Sequence, residues 1–338
     1  MNQDFEPECA QTPMAAIAPP ISVPITHSAT LNFGVIGMGA VGPVLAAAWK
    51  QAGHNLVGVT ARSAGSRERA AAMLPGVQFV SPQELCAQVD LLVFTVRDTE
   101  LADLVENLAS QGVFRTGQLV AHTAGAFGLE VLSPAAESGA IPLALHPAQT
   151  FSGTSLDLAR LHGCFWAVNA PLALLPVAQA LVLDIGGIPR VLADGARPLY
   201  HAALAHGANH LVTLVTQTLR ALQVAGIEDS ASFAQPLMKA ALERALQEGE
   251  AGLSGPISRG DAPTIAKHLR ALENGQWRDS EDLDPALPRD DLADLPSTYR
   301  ALAAATAARI LNRGGINELQ YKQIEGILGN CAPARQER

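Results

Sequence analysis

An α/β fold with a mostly parallel sheet, followed by an all-α second domain, is predicted by three features of the chain. Between residues 31 and 168 short aliphatic runs alternate with helical patterns, beyond residue 170 the pattern is almost wholly helical, and near the start a strand runs directly into a glycine-patterned turn and a helix. With 338 residues there is room for about two domains at ~150 residues each. The change of period places a flexible tail at 1–29, an α/β domain at 30–170, a helical domain at 171–330 and a short tail at 331–338.

The elements follow in order. Phe33 to Ile36 reads as the first strand, and the next helix carries Val41, Val44, Leu45, Ala48 and Trp49 on one apolar face, with Gly53 as its stop. Leu56 to Val59 and Val77 to Val80 read as the next two strands. Ser81-Pro82-Gln83-Glu84 is a helix start in which Ser81 caps, Pro82 takes the first position and Glu84 closes a capping box. Val89 to Val96 is a buried strand, after which Asp98 is expected to cap a helix through Leu101, Leu104, Val105 and Leu108. Leu119 to His122, Ile141 to His146 and Cys164 to Val168 complete the sheet, with Pro189 to Leu192 open as a further strand. Helices are expected over 196–225, 230–248, 261–274, 297–313 and 317–328. An Asp- and Pro-rich segment, 278–295, reads as an exposed loop.

Bulk properties narrow the class of partner. The net charge is −9 and the pI about 5.5, which argues against nucleic acid, because a phosphate backbone is met by a basic surface. Mean hydropathy is +0.17, yet no window holds roughly 18 uninterrupted apolar residues, so no membrane span is expected. Four scattered cysteines without a CxxC suggest neither a disulfide framework nor a zinc site, and with no signal-peptide pattern the protein is expected to be cytoplasmic.

The most informative motif is Gly37-Met38-Gly39-Ala40-Val41-Gly42. It follows a strand, opens a helix and lies in a βαβ unit of the right length, which is the Rossmann-type context for a dinucleotide. Gly37 permits the tight turn, Gly39 lets backbone approach a pyrophosphate, and Gly42 lets helix pack on strand, while the free N–H groups of the helix start attract the anion. Pro43 falls in the first helical turn, where a missing N–H costs little. The second strand ends without the carboxylate that NAD-binding proteins set against the ribose. It offers Arg62 and Ser63 instead, with Ser66 and Arg67 close behind, a donor set suited to a 2′-phosphate. NADP is therefore expected.

Polar residues at the carboxyl ends of parallel strands carry extra weight, because open α/β sheets bind ligands there. Thr95, Val96 and Arg97 end one strand, His122 and Thr123 another, and His146-Pro147 a third. His122 also reads as a satisfied, partly buried imidazole, and Asp98 as a plain helix cap. In the long helix His201 and Asn209 project from nearly one face. A hydride delivered to a carbonyl or imine carbon leaves charge on the heteroatom, which calls for a proton donor such as imidazole, of pKa ~6.5, and a hydrogen-bonding group such as Asn. Arg259, in Ser254-Gly255-Pro256-Ile257-Ser258-Arg259-Gly260-Asp261, suits a carboxylate clamp, and Asp261 before Pro263 suits a helix start. His206 and His210 lie four apart but lack a companion carboxylate motif, so no metal site is expected.

Read in order, GVIGMGAVG, TVRD, HTAG, HPAQTF, YHAALAHGANH and GPISRGD resemble a bacterial family of two-domain oxidoreductases over about residues 31–312. Its members join a Rossmann-like domain to a C-terminal domain of unknown function, within the 6-phosphogluconate dehydrogenase-like group. The resemblance extends to ketopantoate reductases, pyrroline-5-carboxylate reductases and prephenate dehydrogenases. It implies a nicotinamide cofactor and a small carboxylate-bearing substrate. His201 and Asn209 look like the catalytic Lys and Asn of ketopantoate reductases, with Lys become His, and His146-Pro147 looks like the His-Pro of prephenate dehydrogenases.

The reading that follows is an NADPH-dependent reductase of a small 2-oxo acid or imine, ketopantoate-like first. His201 or His146 would donate the proton, Asn209 polarise the substrate and Arg259 hold its carboxylate. A non-catalytic NADP sensor or scaffold is the rival, and a Rossmann methyltransferase fits less well. Long apolar helices allow a homodimer.

Overall fold

The computed structural model describes residues 30–193, 195–273 and 292–329. They fall into two compact units that divide between Ala202 and Ala203. The tails expected at 1–29 and 331–338 lie outside the described residues, as does most of the 278–295 loop; of that segment Leu292 is buried and Leu295 already begins a helix.

The first unit contains β1 (Asn32–Ile36), α1 (Gly42–Gln51), β2 (Asn55–Thr60), α2 (Ala64–Met73), α3 (Pro82–Gln88), β3 (Leu91–Phe94), α4 (Asp98–Ser110), β4 (Leu119–His122), α5 (Ser133–Glu137), β5 (Ile141–Pro147), α6 (Leu156–Leu161), β6 (Phe165–Asn169), α7 (Leu175–Leu183) and β7 (Ile188–Val191). They make one seven-stranded sheet in the order β2-β1-β3-β4-β5-β6-β7. The first five strands are parallel, β6 runs antiparallel to β5, and β7 is parallel to β6.

Both faces of the sheet are covered, which is why its central strands are continuous apolar runs rather than alternating ones. Successive side chains point to opposite faces. Phe33, Val35, Leu91 and Val93 join Val44, Leu45 and Trp49 of α1 in one core, while Ile36, Leu92 and Phe94 join Leu101 and Val105 of α4 in the other. Register carries one line across the sheet, Ile36 to Phe94 to His122 to Ala144 to Asn169, so the carboxyl ends of β1, β3 and β4 are level. The chain leaves β1 toward β2 and returns to β3 on the other side. The point of reversal, between β1 and β3, is where such sheets open a ligand crevice.

Three sequence expectations are corrected. Val77 to Val80 is not a strand of the sheet: it makes only an isolated bridge between Phe79 and Val59 beyond β2, a stretch too short to extend the ladder before Ser81 starts α3. Asp98 is the first residue of α4 rather than its cap, with Arg97 in the extended cap position and no side-chain cap bond. The first unit also runs past residue 170, because β7 pairs with β6 and α7 is fastened to the opening βαβ unit. There the Trp49 indole N–H donates to the Leu181 carbonyl at 2.8 Å, and His54 Nε2 lies 3.2 Å from the Asp184 carboxylate.

A long helix, α8 (Arg197–Val224), begins in the first unit and continues into the second, which adds α9 (Ser230–Glu248), α10 (Ala262–Glu273), α11 (Leu295–Asn312) and α12 (Glu318–Leu328). The last three enclose a small core of Ile265, Leu269, Ala307, Ile310, Tyr321 and Ile324. Asp261 caps α10 through the Thr264 N–H, and Asn317 with Gln320 forms a capping box on α12. By contrast, α8 and α9 leave large apolar side chains in solvent: Val212 is 62% exposed, Phe233 63%, Leu237 75% and Leu246 79%.

Candidate active site

The glycine turn has the geometry that its spacing predicts. Gly37 sits at φ 104°, a conformation L side chains rarely adopt, and a Cβ there would stand 2.9 Å from the Thr95 carbonyl. A Cβ on Gly42 would lie 2.0 Å from the Gly37 carbonyl oxygen, so only glycine allows α1 to start this close to β1. Gly39 is the opposite case: nothing lies within 4 Å of a built Cβ, which leaves its backbone open to a ligand. Thr95 acts on the turn from the next strand. Its buried hydroxyl donates to the Gly37 carbonyl at 2.5 Å.

The turn opens into a cleft of about 1120 Å³. Of the residues singled out for cofactor binding, Gly37, Met38, Gly39, Arg62, Ser63, Thr95, Val96 and Arg97 line it, joined by Ser66 and Arg67. Ala40, Val41, Gly42 and Thr123 do not. Met38 is buried in the core, so only its backbone reaches the cleft, and Ala40 instead faces Gly153, whose Cβ would stand 3.1 Å from the Ala40 Cα. That contact comes from the loop after β5, which the buried Asp157 carboxylate fastens by accepting from the N–H groups of Ser152 and Gly153, each at 2.8 Å. At the outer wall Ser63 caps α2, accepting from the Ser66 N–H at 3.2 Å. Arg67 stacks 5.0 Å over the Phe79 ring. Arg62, though exposed to solvent, is not unpaired. It pairs with Glu100 in the first turn of α4, and Glu100 also binds Arg97 at 2.5 Å.

Further along the same strand edge lies a cluster of a different kind. Arg197, at the start of α8, is 2% exposed, and no carboxylate is among its hydrogen-bond partners. Its guanidinium donates to Asn169 Oδ1 at 2.8 Å and to the carbonyls of Ala124, Ala144 and Ala167 at 2.8 to 3.2 Å, tying α8 to β5, β6 and the loop that follows β4. Burial draws its pKa down to about 10, still a cation at neutral pH. One turn on, the Tyr200 hydroxyl meets His146 Nδ1 at 2.9 Å, and the ring of His201 stands edge-on to His146 with centroids 5.8 Å apart. Both imidazoles lie over Gly125: a Cβ there would be 2.4 Å from His201 Cδ2 and 2.9 Å from His146 Nε2.

Protonation states follow from this packing. Burial, reinforced by the Arg197 charge, pushes the His146 pKa down to about 4, so the ring is neutral at pH 7 and the sequence expectation of an imidazole near 6.5 does not hold for it. His122 is also held near 4 by burial. Its Nδ1 accepts from the Ala124 N–H at 3.1 Å and its Nε2 donates to the Gly128 carbonyl at 2.8 Å, so both nitrogens are used in shaping the 123–128 loop. Of its two sequence readings, the satisfied structural imidazole is the one that holds.

The structure therefore joins His146 to His201, with Tyr200, Arg197 and Gly125, a grouping no motif spelled out. It does not pair His201 with Asn209 as the helical spacing suggested: eight residues amount to about 80° of rotation, and His201 shares its face with Arg197 four residues earlier. Asn209 and Arg259 belong to the second unit, where both are exposed, Arg259 at the end of a short 3-10 turn (Ile257–Arg259). His206 and His210, exposed on α8, approach Nδ1 to Nδ1 at 3.1 Å, and no group of three or more metal-type ligands occurs among the described residues.

Comparison with known proteins agrees with this architecture. Residues 17–147 match a Rossmann-like domain, and residues 164–306 match a domain of unknown function, DUF2520, the two-domain arrangement that the motifs resemble. No curated protein matches the sequence. Among solved structures, a candidate NADP oxidoreductase from Bacteroides fragilis is 20% identical with a TM-score of 0.64, covering 83% of this chain and 99% of its own. A reductive aminase from Aspergillus terreus, solved with NADPH and ethyl levulinate, is 18% identical with a TM-score of 0.54, covering 88% and 99%. An imine reductase from Myxococcus stipitatus, solved with NADP+, is 18% identical with a TM-score of 0.53, covering 84% and 95%. At these identities the likeness is one of fold.

Proposed function

We propose that this protein is an NADPH-dependent oxidoreductase acting on a small carboxylate-bearing 2-oxo acid or imine. The observation that carries the reading is the sheet edge itself, where a glycine turn shaped for a pyrophosphate follows β1 and a neutral histidine, backed by a second histidine, stands near the end of β5, on the same parallel edge with β3 and β4 between. The open side of Gly39, the steric exclusion of any side chain at Gly42, and the donors Arg62, Ser63 and Ser66 all fit a 2′-phosphorylated dinucleotide. The dinucleotide would supply a hydride. The imine and reductive-aminase activities of two structural relatives support the imine side of the substrate range.

The protein's own residues have separable tasks in this reading. Tyr200 fixes the His146 ring through Nδ1, so that Nε2 faces the Gly125 backbone and the space beside it. A neutral imidazole is a hydrogen-bond donor or acceptor rather than a strong acid at pH 7, so His146 orients the reacting heteroatom and His201 delivers the proton. Asn209 and Arg259 are assigned to polarising substrate and holding its carboxylate on residue chemistry alone, and Asn209→Ala and Arg259→Ala test those roles by KM. The exposed leucines of α8 and α9 support a homodimer, to be checked by sedimentation.

Stopped-flow loss of NADPH absorbance against cyclic imines and 2-oxo acids is the direct test. Turnover abolished by His201→Ala supports the assignment. NADPH binding without turnover of any substrate, together with a phenotype lost in Gly39→Asp but kept in His201→Ala, overturns it in favour of a nucleotide sensor.

A further inference from the structure

The arginine expected to meet the 2′-phosphate is already paired inside the protein. Glu100 holds both Arg62 and Arg97, and it is the better sheltered partner: its side chain is 24% exposed, against 80% for each arginine. Asp103 and Asn107, at i+3 and i+7 from Glu100, carry the same face of α4 along the cleft wall. Arg67 is meanwhile engaged on the Phe79 ring. Two consequences follow for an adenosine ribose in this cleft. A 2′-phosphate shares Arg62 with Glu100, reaching only the guanidinium donors the carboxylate leaves open, and is repelled by that carboxylate. A free 2′-hydroxyl instead meets an acceptor of the kind NAD sites use, supplied here by the start of α4 rather than by the end of the second strand.

We infer that Glu100 is the residue that sets cofactor discrimination, an internal competitor for Arg62 that weakens NADP binding and leaves NAD usable. Arg62 and Glu100 then act in opposite senses as one ion pair on the cleft wall, and the balance between them is the selectivity of the site. This deepens the proposed function and rests on its dinucleotide reading.

The test is calorimetric titration of the whole protein and its Glu100→Gln and Glu100→Ala variants with NADP+ and with NAD+, thermal melts serving as the check on folding. Both variants are expected to tighten NADP+ by about fivefold, the size an exposed charge pair carries, with NAD+ unchanged or slightly weaker. That gain should shrink as salt is raised. Unchanged NADP+ affinity in folded variants overturns the inference and leaves the dinucleotide reading standing. Weaker NADP+ binding also overturns it, since Glu100 would then serve to hold Arg62 in place. Failure of wild type and both variants to bind either dinucleotide overturns the reading beneath it as well.

Discussion

Along one strand edge the first unit carries two halves built on opposite plans. At β1, β2 and β3 the determinants are backbone and exposed charge: a turn that only glycine can make, an open approach at Gly39, and arginines in solvent. At β4, β5 and β6 they are buried side chains packed on one another, neutral imidazoles around a cation enclosed by carbonyls. The first plan suits a ligand recognised by phosphates, which backbone N–H groups and guanidinium forks can hold without enclosing it. The second suits chemistry, where water must be excluded and protonation states fixed. The two halves should therefore fail differently when perturbed.

The largest effect is expected at the open glycine. In Gly39→Asp the Cβ meets no atom within 4 Å and the backbone needs no positive φ, so the fold should survive. A carboxylate about 4 Å from a pyrophosphate opposes it by up to roughly 4 kcal/mol, so dinucleotide affinity should drop on the order of 100-fold, and by no more than about 1000-fold, at unchanged melting temperature. Calorimetry and a thermal melt on one sample check both halves of the statement.

Arg197→Met should do the reverse, damaging stability before ligand binding. It removes the donor to Asn169 and three carbonyls that are already out of water, and each unsatisfied group costs about 1–3 kcal/mol. A loss of roughly 3 kcal/mol or more in denaturant unfolding is expected by the same reasoning. A smaller loss would mean that water reaches those carbonyls, and that the cluster is less enclosed than its packing indicates.

The contrast also explains what could be read from the chain beforehand. Gly37, Gly39 and Gly42 were legible because backbone geometry demands glycine at fixed spacing, and Ser81 with Glu84 because a capping box is local. His146 and His201 were each singled out, on separate grounds, but their meeting was not. It is made by three separate stretches of chain, at Gly125, at His146 and at Tyr200 with His201, the first and last 76 positions apart, which no window of sequence brings together. Arg197 carried a usable signal, since 197, 200 and 201 share one face of the first turns of α8. The pairing of Arg62 with Glu100 was hidden for the same reason, being a contact across 38 residues.

The histidine half should also respond to pH where the charged half does not. His122 and His146 are held near 4 in the fold, against about 6.5 in an unfolded chain. Between those values the unfolded state binds more protons, so stability rises with pH through this window. It is fully present above about 6.5 and is lost as pH falls toward 4. Unfolding free energies measured from pH 4 to 7 should show that slope, and His146→Gln should flatten it by about half, since one of two such groups is removed. An unchanged slope would place the His146 ring in contact with solvent.

The smallest effect separates the two charges that pair on the wall of the cleft. Arg62→Ala is expected to weaken NADP+ by about tenfold, the loss of one charge-assisted contact, while NAD+ shifts less than about twofold. Because Arg62 and Glu100 are partners, their effects should not add. Once Arg62 is gone, Glu100 has less to compete for, and adding Glu100→Gln relieves only its repulsion of the phosphate. A double-mutant cycle on NADP+ affinity measures that coupling. A coupling energy of zero would mean that the two residues act on NADP+ independently, and that the pair seen in the structure plays no part in choosing the cofactor.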